Sequence, residues 1–109
     1  TFAVICLDTI DDKQERKNVV KHLKENNKQI IEITEDQVNH FAGNMLQVEG
    51  ANNELFLVMS QAAFDCLTSA QIQQITKHCK IISSSLETIE TCGGGSARCM
   101  MAEIFLPKA

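Results

Sequence analysis

Residues 45–67 read Met45-Leu-Gln-Val-Glu-Gly-Ala-Asn-Asn-Glu-Leu-Phe-Leu-Val-Met-Ser-Gln-Ala-Ala-Phe-Asp-Cys-Leu67, and their reading decides the fold class. Met45 to Val48 alternates as a strand, Gly50-Ala-Asn-Asn53 is a turn, and Leu55 to Met59 is a fully apolar strand. Together they predict a β-hairpin. Ser60 follows at once, and its hydroxyl is placed to cap a helical turn through Leu67. A hairpin that runs directly into a helix belongs to a mixed α/β chain.

Reading outward keeps the alternation. On the C-terminal side, Thr68-Ser-Ala-Gln71 has the form of a capping box and starts a helix whose Ile72, Ile75 and Cys79 share one face. Ile81-Ile82 reads as a short strand, Ser83-Ser-Ser85 as a turn, Thr88-Ile-Glu90 as a further extended piece, and Ala102 to Leu106 as a final strand stopped by Pro107. On the N-terminal side, Thr34-Glu-Asp-Gln37 is a second capping box, opening a short helix through about Phe41. Gln29 to Ile33 is a strand. Asp11 and Asp12 cap a helix to about Asn26, with Val19, Val20 and Leu23 on its inner stripe. Phe2 to Leu7 is a buried strand.

Strands and helices thus alternate twice, giving pseudo-units of about 1–50 and 51–109. The expected core is Cys6, Val20, Ile31, Leu46, Phe56, Val58, Ile75 and Ile104. The chain opens inside a strand with no turn or cap before it, so it reads as a truncated chain, a fragment or a proteolysed product.

Composition narrows the function. The net charge is −4, and no Lys/Arg cluster forms the basic patch that phosphate backbones require. Trp and Tyr are absent, which removes the usual stacking platforms for bases. No apolar run reaches the length of a membrane span. Nucleic-acid and membrane partners are therefore not expected. Five cysteines without a CxxC pair fit neither a metal site nor a complete disulfide framework. A reducing cytoplasm suits them best, and neither metal nor cofactor is expected.

One segment resists explanation by packing. Gly93-Gly-Gly-Ser-Ala-Arg-Cys99-Met-Met places three consecutive glycines, each costly in backbone entropy, just before a cysteine with a cationic neighbour. A nearby Arg98 and exposed amide N–H groups favour the thiolate, the nucleophilic form of cysteine. The residues alone leave two readings open: a nucleophilic Cys99, or a glycine loop followed by one more buried cysteine. As a phosphate loop the motif lacks the Lys-Ser/Thr pair.

Glu90-Thr-Cys-Gly-Gly-Gly-Ser-Ala-Arg-Cys-Met-Met-Ala-Glu-Ile-Phe-Leu-Pro107 closely resembles the C-terminal signature of the arginine deiminase and amidinotransferase superfamily, the penteins. Asn39-His-Phe-Ala-Gly-Asn-Met-Leu-Gln-Val48 resembles a second motif of that superfamily, and Leu57-Val-Met-Ser-Gln-Ala-Ala63 agrees with the step between them. The nearest subgroup is that of arginine-deiminase-related or citrulline-utilisation hydrolases. The resemblance implies about two ββαβ-like units of a five-unit α/β propeller. It implies that Cys99 is the catalytic nucleophile attacking a small guanidinium or ureido substrate through a covalent thiouronium adduct, with a C–N hydrolase favoured over an amidinotransferase. Asn44, Gly94, Gly95, Ser96 and Arg98 are the implied substrate-binding candidates. The family's general-base His falls upstream of Thr1, so the chain alone is expected to be inactive. It is expected to pack against missing N-terminal units or against itself. The alternative is a pentein-fold binding or scaffold module without turnover. A thiol-redox role is disfavoured, because Cys92 is the sole partner in view for Cys99 and stands outside CxxC spacing.

The remaining titratable residues read as structural. His22 lies on a solvated helix face, and His78 lies at a helix end, where its charge suits the dipole. His40 precedes the Gly43-Asn44 pair, where penteins do not place their base. Asp8 ends a strand. Cys92 stands where some arginine deiminases carry an arginine, which weakens free arginine as the substrate.

Overall fold

In the computed structural model, which describes residues 1–107, β1 (Phe2–Ile5) leads through α1 (Lys13–Glu25) to β2 (Gln29–Glu32). The two strands pair in parallel, Phe2 opposite Gln29 and Ile5 opposite Glu32. Parallel neighbours need a long crossover, and α1 supplies it. Its start is set by Asp12, whose Oδ1 accepts the backbone N–H groups of Gln14 and Glu15 at 2.7 and 2.8 Å. Its end is set by Asn26 and by Asn27, which adopts φ 55° and turns the chain into β2.

The chain continues through α2 (Glu35–Asn39), β3 (Leu46–Glu49), β4 (Leu55–Ser60), α3 (Gln61–Cys66), α4 (Ser69–Thr76), β5 (Lys80–Ser84) and α5 (Glu87–Gly93). β3 and β4 form the antiparallel hairpin, Leu46 opposite Val58, and β5 joins β4 in parallel, giving the order β3-β4-β5. The hairpin turn depends on Gly50, where a Cβ would stand 2.8 Å from the Phe56 ring. Asn52 and Asn53 complete it at φ 63° and 60°. Among the described residues no helix is long and apolar enough to cross a membrane.

The core lies between the strands and their helices: Cys6, Ile31 and Ile33 from the first half join Leu57, Met59, Ala63, Leu67, Ile75 and Cys79 from the second. Of the expected core, Cys6, Ile31, Leu46 and Ile75 are buried, whereas Val20, Phe56 and Val58 are half-buried. β4 is apolar at five successive positions, so its sequence does not reveal its inner face; the helices cover Leu57 and Met59. Ile104 is 79% exposed, and residues 101–107 form no strand. A single extended segment has no ladder of its own, and within the described residues no strand pairs with this one. Two further boundaries differ from expectation. Ser83 and Ser84 extend β5 instead of turning, their backbones paired with Met59 and Ser60. Thr88-Ile-Glu90 is helical within α5, whose first turn carries Glu87 and Glu90 against the positive helix end.

The halves are joined by their two capping boxes. Thr34 accepts the Gln37 N–H while the Gln37 side chain accepts the Thr34 N–H, and Thr68 and Gln71 repeat the arrangement. The two glutamines then bond to each other, Gln37 Nε2 to Gln71 Oε1 at 2.7 Å and Gln71 Nε2 to Gln37 Oε1 at 3.0 Å. Gln37 Nε2 also donates to the Cys66 carbonyl, and Gln71 Nε2 to the Glu32 carbonyl, each at 2.8 Å. Gln37 is buried, so no water replaces its bonds. Gln37→Ala is expected to cost about 2 kcal/mol in urea unfolding, the order of a buried polar group left unpaired. Gln71→Ala should cost less, because Gln71 is only half-buried.

Candidate functional site

The glycine run is a helix stop followed by a tight return. α5 ends on Gly94, which adopts φ 71° at the C-cap, a conformation that L side chains rarely take. Gly95 makes room for a different reason: a Cβ there would lie 3.2 Å from Cys99 Cβ and 3.3 Å from its sulfur. Gly93 meets nothing within 4 Å and carries no such constraint. The chain then goes inside. Ser96 and Ala97 are 0% and 2% exposed, and the short 3-10 turn Arg98–Met100 brings Cys99 back to the surface. The Cys99 N–H donates to the Ser96 carbonyl at 3.1 Å and closes that turn.

Asn44 reaches this turn from the opposite side of the sequence. α2 ends in a Schellman arrangement, the Ala42 N–H bonding the Gln37 carbonyl and the Phe41 N–H the Val38 carbonyl, both at 2.9 Å. The left-handed position is held by Phe41 at φ 65°, where glycine is usual, so the backbone stores roughly 1 kcal/mol of strain there. The Asn44 N–H then bonds the Phe41 carbonyl at 2.9 Å, and this turn aims the Asn44 side chain at the glycine loop. Asn44 Oδ1 accepts the Arg98 N–H at 2.9 Å, and Asn44 Nδ2 donates to Cys99 Sγ at 3.0 Å. One amide therefore fixes both the backbone before the cysteine and the cysteine itself.

The effect on the thiol is chemical. The Asn44 amide, and after it the Ser96 backbone, hold the Cys99 thiol below the ordinary thiol range, with Arg98 adding a smaller Coulombic pull. Burial acts in the other direction on Cys66 and Cys79, whose thiols it pushes up. Cys6 is buried, and Cys92 is exposed on α5. Cys99 is thus a surface cysteine with a bonded, acidified sulfur. It is not one more buried cysteine after a glycine loop.

The other candidates fall into place around it. Asn44 and the Ser96 carbonyl bond to Cys99 and Gly95 leaves room for it, whereas Gly94 ends α5 and Arg98 is the cysteine's neighbour in the chain. The Ser96 hydroxyl is buried and donates to Glu90 Oε1 at 2.6 Å, while the exposed Arg98 guanidinium pairs with Glu103 at 3.7 Å. The histidines are occupied elsewhere. His22 accepts from Asn26 at 3.4 Å, His40 donates to the Asp36 carbonyl at 2.8 Å, and His78 donates to Gln29 at 2.8 Å while stacking on Phe2. His78 is a bridge between the halves more than a partner of the helix dipole. Asp8 pairs with Arg16 at 3.5 Å. Among the described residues no three His, Cys, Asp or Glu side chains converge into a metal-sized group. Glu90 is the residue that sequence reading missed. Read as an extended piece, it had no reason to face Ser96; its place in the first turn of a helix ending at a glycine is the signal that would have found it.

The family model described as N,N dimethylarginine dimethylhydrolase, eukaryotic, matches residues 1–106, and the chain belongs to this family. Its membership agrees with the resemblance to the arginine deiminase and amidinotransferase superfamily. No curated protein and no solved structure matches the chain.

The bond from Asn44 has a measurable consequence. Because the thiolate is the reactive form and Asn44 favours it, the rate of Cys99 alkylation by iodoacetamide should rise at a pH below the ordinary thiol range. Asn44→Ala should move the Cys99 rise to higher pH and slow its labelling several-fold at neutral pH. Peptide mass spectrometry over a pH series measures both. An unchanged Cys99 profile would remove Asn44 from the site.

Proposed function

We propose that this hydrolase-family chain carries the nucleophile of an enzyme that cleaves a C–N bond of a small guanidinium or ureido compound, and that the nucleophile is Cys99. The observation that carries the reading is the exposed Cys99 sulfur, held by the Asn44 amide on a glycine turn that leaves it room. In this reading the thiolate attacks the electrophilic carbon of a guanidinium substrate and forms a C–S bond. The C–N bond breaks, the amine leaves with a proton from a general acid, and a thiouronium adduct remains. Water then adds to that carbon, giving its proton to a general base. The C–S bond breaks, restoring the thiolate and releasing a ureido product. The family description makes a dimethylated arginine the first substrate to try, beside arginine and citrulline.

The supporting residues take separate roles. Asn44 orients and acidifies the sulfur, Gly94 and Gly95 let the backbone return beneath it, and Ser96 shapes the turn from inside. Arg98 is the exposed cation beside the sulfur. We assign the two strand–helix–strand halves to consecutive units of an α/β propeller. The exposed Ile82, Ile104, Phe105 and Leu106 are the apolar surface through which such units, or second copies of the chain, would meet. One observation favours the second reading, a binding module without turnover: within the described residues no histidine bonds to Cys99, so the proton carrier would come from elsewhere.

Cys99→Ser separates the two readings. A chloroacetamidine reagent, whose cation mimics a guanidinium, should label Cys99 ahead of Cys6, Cys66, Cys79 and Cys92 in intact-mass and peptide analysis, and Cys99→Ser should lose both the adduct and any turnover of dimethylarginine. Near-normal turnover in Cys99→Ser would end the proposal. Labelling without turnover in a fully assembled protein would leave the binding module.

A further inference from the structure

α5 is joined to the nucleophile's turn by one short internal bond. Glu90 lies in the first half of α5, half-buried, with its backbone N–H bonded to the Leu86 carbonyl at 2.9 Å. Its Oε1 accepts the Ser96 hydroxyl at 2.6 Å, across the whole glycine run. A hydroxyl on a carboxylate at that distance is a strong, charge-assisted bond, and Ser96 is fully buried, so water does not compete for it. Without this bond the segment from Gly93 to Gly95 has little to hold it. Three glycines restrict their dihedrals least of all residues, and Gly93 and Gly94 meet no neighbour that would limit a side chain there.

We propose that Glu90 is a positioning residue for Cys99, acting through Ser96. Glu90 pins the far side of the glycine loop to the rigid helix. Ser96 is thereby fixed, and its carbonyl receives the Cys99 N–H at 3.1 Å. That turn in turn sets where the sulfur meets the Asn44 amide. Two anchors thus hold one flexible loop, Glu90 from within and Asn44 from outside. Ser96 belongs to the loop's support, and its hydroxyl is committed away from any substrate. The assignment rests on the proposed function only in calling Cys99 a nucleophile; the geometric link is independent of turnover.

The test therefore reads the thiol itself. Iodoacetamide labelling of Cys99 is followed by peptide mass spectrometry from acid to alkaline pH, with circular dichroism confirming the fold of each variant. Glu90→Ala and Ser96→Ala should each slow Cys99 labelling several-fold at neutral pH and move its profile upward. Glu90→Gln keeps an acceptor oxygen in place and should recover most of the rate. In an Asn44→Ala background, Glu90→Ala should add no further slowing, because both residues act on the same sulfur contact. An unchanged Cys99 profile in Glu90→Ala, or full additivity with Asn44→Ala, overturns the proposal. So does a parallel rise in labelling of the buried Cys6 and Cys79, which marks general loosening. If Glu90→Ala does not fold, Ser96→Ala and Glu90→Gln decide by the same criteria. A fully assembled protein that turns over no guanidinium or ureido compound, yet whose Cys99 labelling still responds to Glu90, would sink the enzyme reading and leave this one standing.

Discussion

Two amide side chains, Gln37 and Gln71, fix α2 against α4 by bonding to each other. Each is already needed by its own helix, where it closes a capping box and satisfies a backbone N–H that the helix leaves orphaned. Each then turns its remaining hydrogens on the other and on a carbonyl of the neighbouring half. The bonds are reciprocal, so α2 and α4 cannot shift relative to one another without breaking several at once. Everything downstream of α2 inherits that registration. The Schellman turn is measured from the Gln37 carbonyl, and Asn44 is measured from Phe41 in that turn. The candidate nucleophile is thus placed by a chain of bonds that begins at a helix cap.

Such an arrangement divides the work of the site between elements of different stiffness. Helices and capping boxes supply fixed points, and Gly94 and Gly95 supply the two positions where a side chain would be strained or crowded. Loops that carry chemistry usually sit on rigid supports, because a group misplaced by an ångström loses much of its effect. Here the supports come from both ends of the chain, Asn44 from the first half and Glu90 from α5. The Asn44 amide has no titratable proton, and Glu90 Oε1 is taken up by the Ser96 hydroxyl. The site is a cysteine held in place and made acidic, still lacking a proton carrier within the described residues.

Local chemistry made much of this legible in the sequence. Asp12, Thr34, Ser60 and Thr68 each announce a helix start because a capping side chain acts within three residues of itself. The hairpin was equally plain, since turn and strand are read from adjacent residues. The pairing of Gln37 with Gln71 was not, because it joins residues 34 apart that each already had a local role. The burial of Leu57 and Met59 in place of Phe56 and Val58 also escaped, since a run with no polar residue has no visible inner face. In α5, β-branched Thr88 and Ile89 suggested extension, while the helix drew on Glu87 and Glu90 at its positive end. Cys99 itself was legible through its motif; its contact with Asn44, 55 residues away, was a matter of topology.

The identity of the group that acidifies Cys99 carries a consequence for its surroundings. The leading cause is the amide of Asn44, which bears no net charge, and the full positive charge of Arg98 ranks well behind it. Dissolved ions screen attraction between exposed charges with a decay length of about 10 Å at 0.1 M salt, but they do little to a direct bond from a neutral donor. Arg98, already paired with Glu103 in the open, is the part of the site that such screening reaches. The leading bond on this sulfur is therefore the one that dissolved ions reach least, and it is set by the shape of one loop.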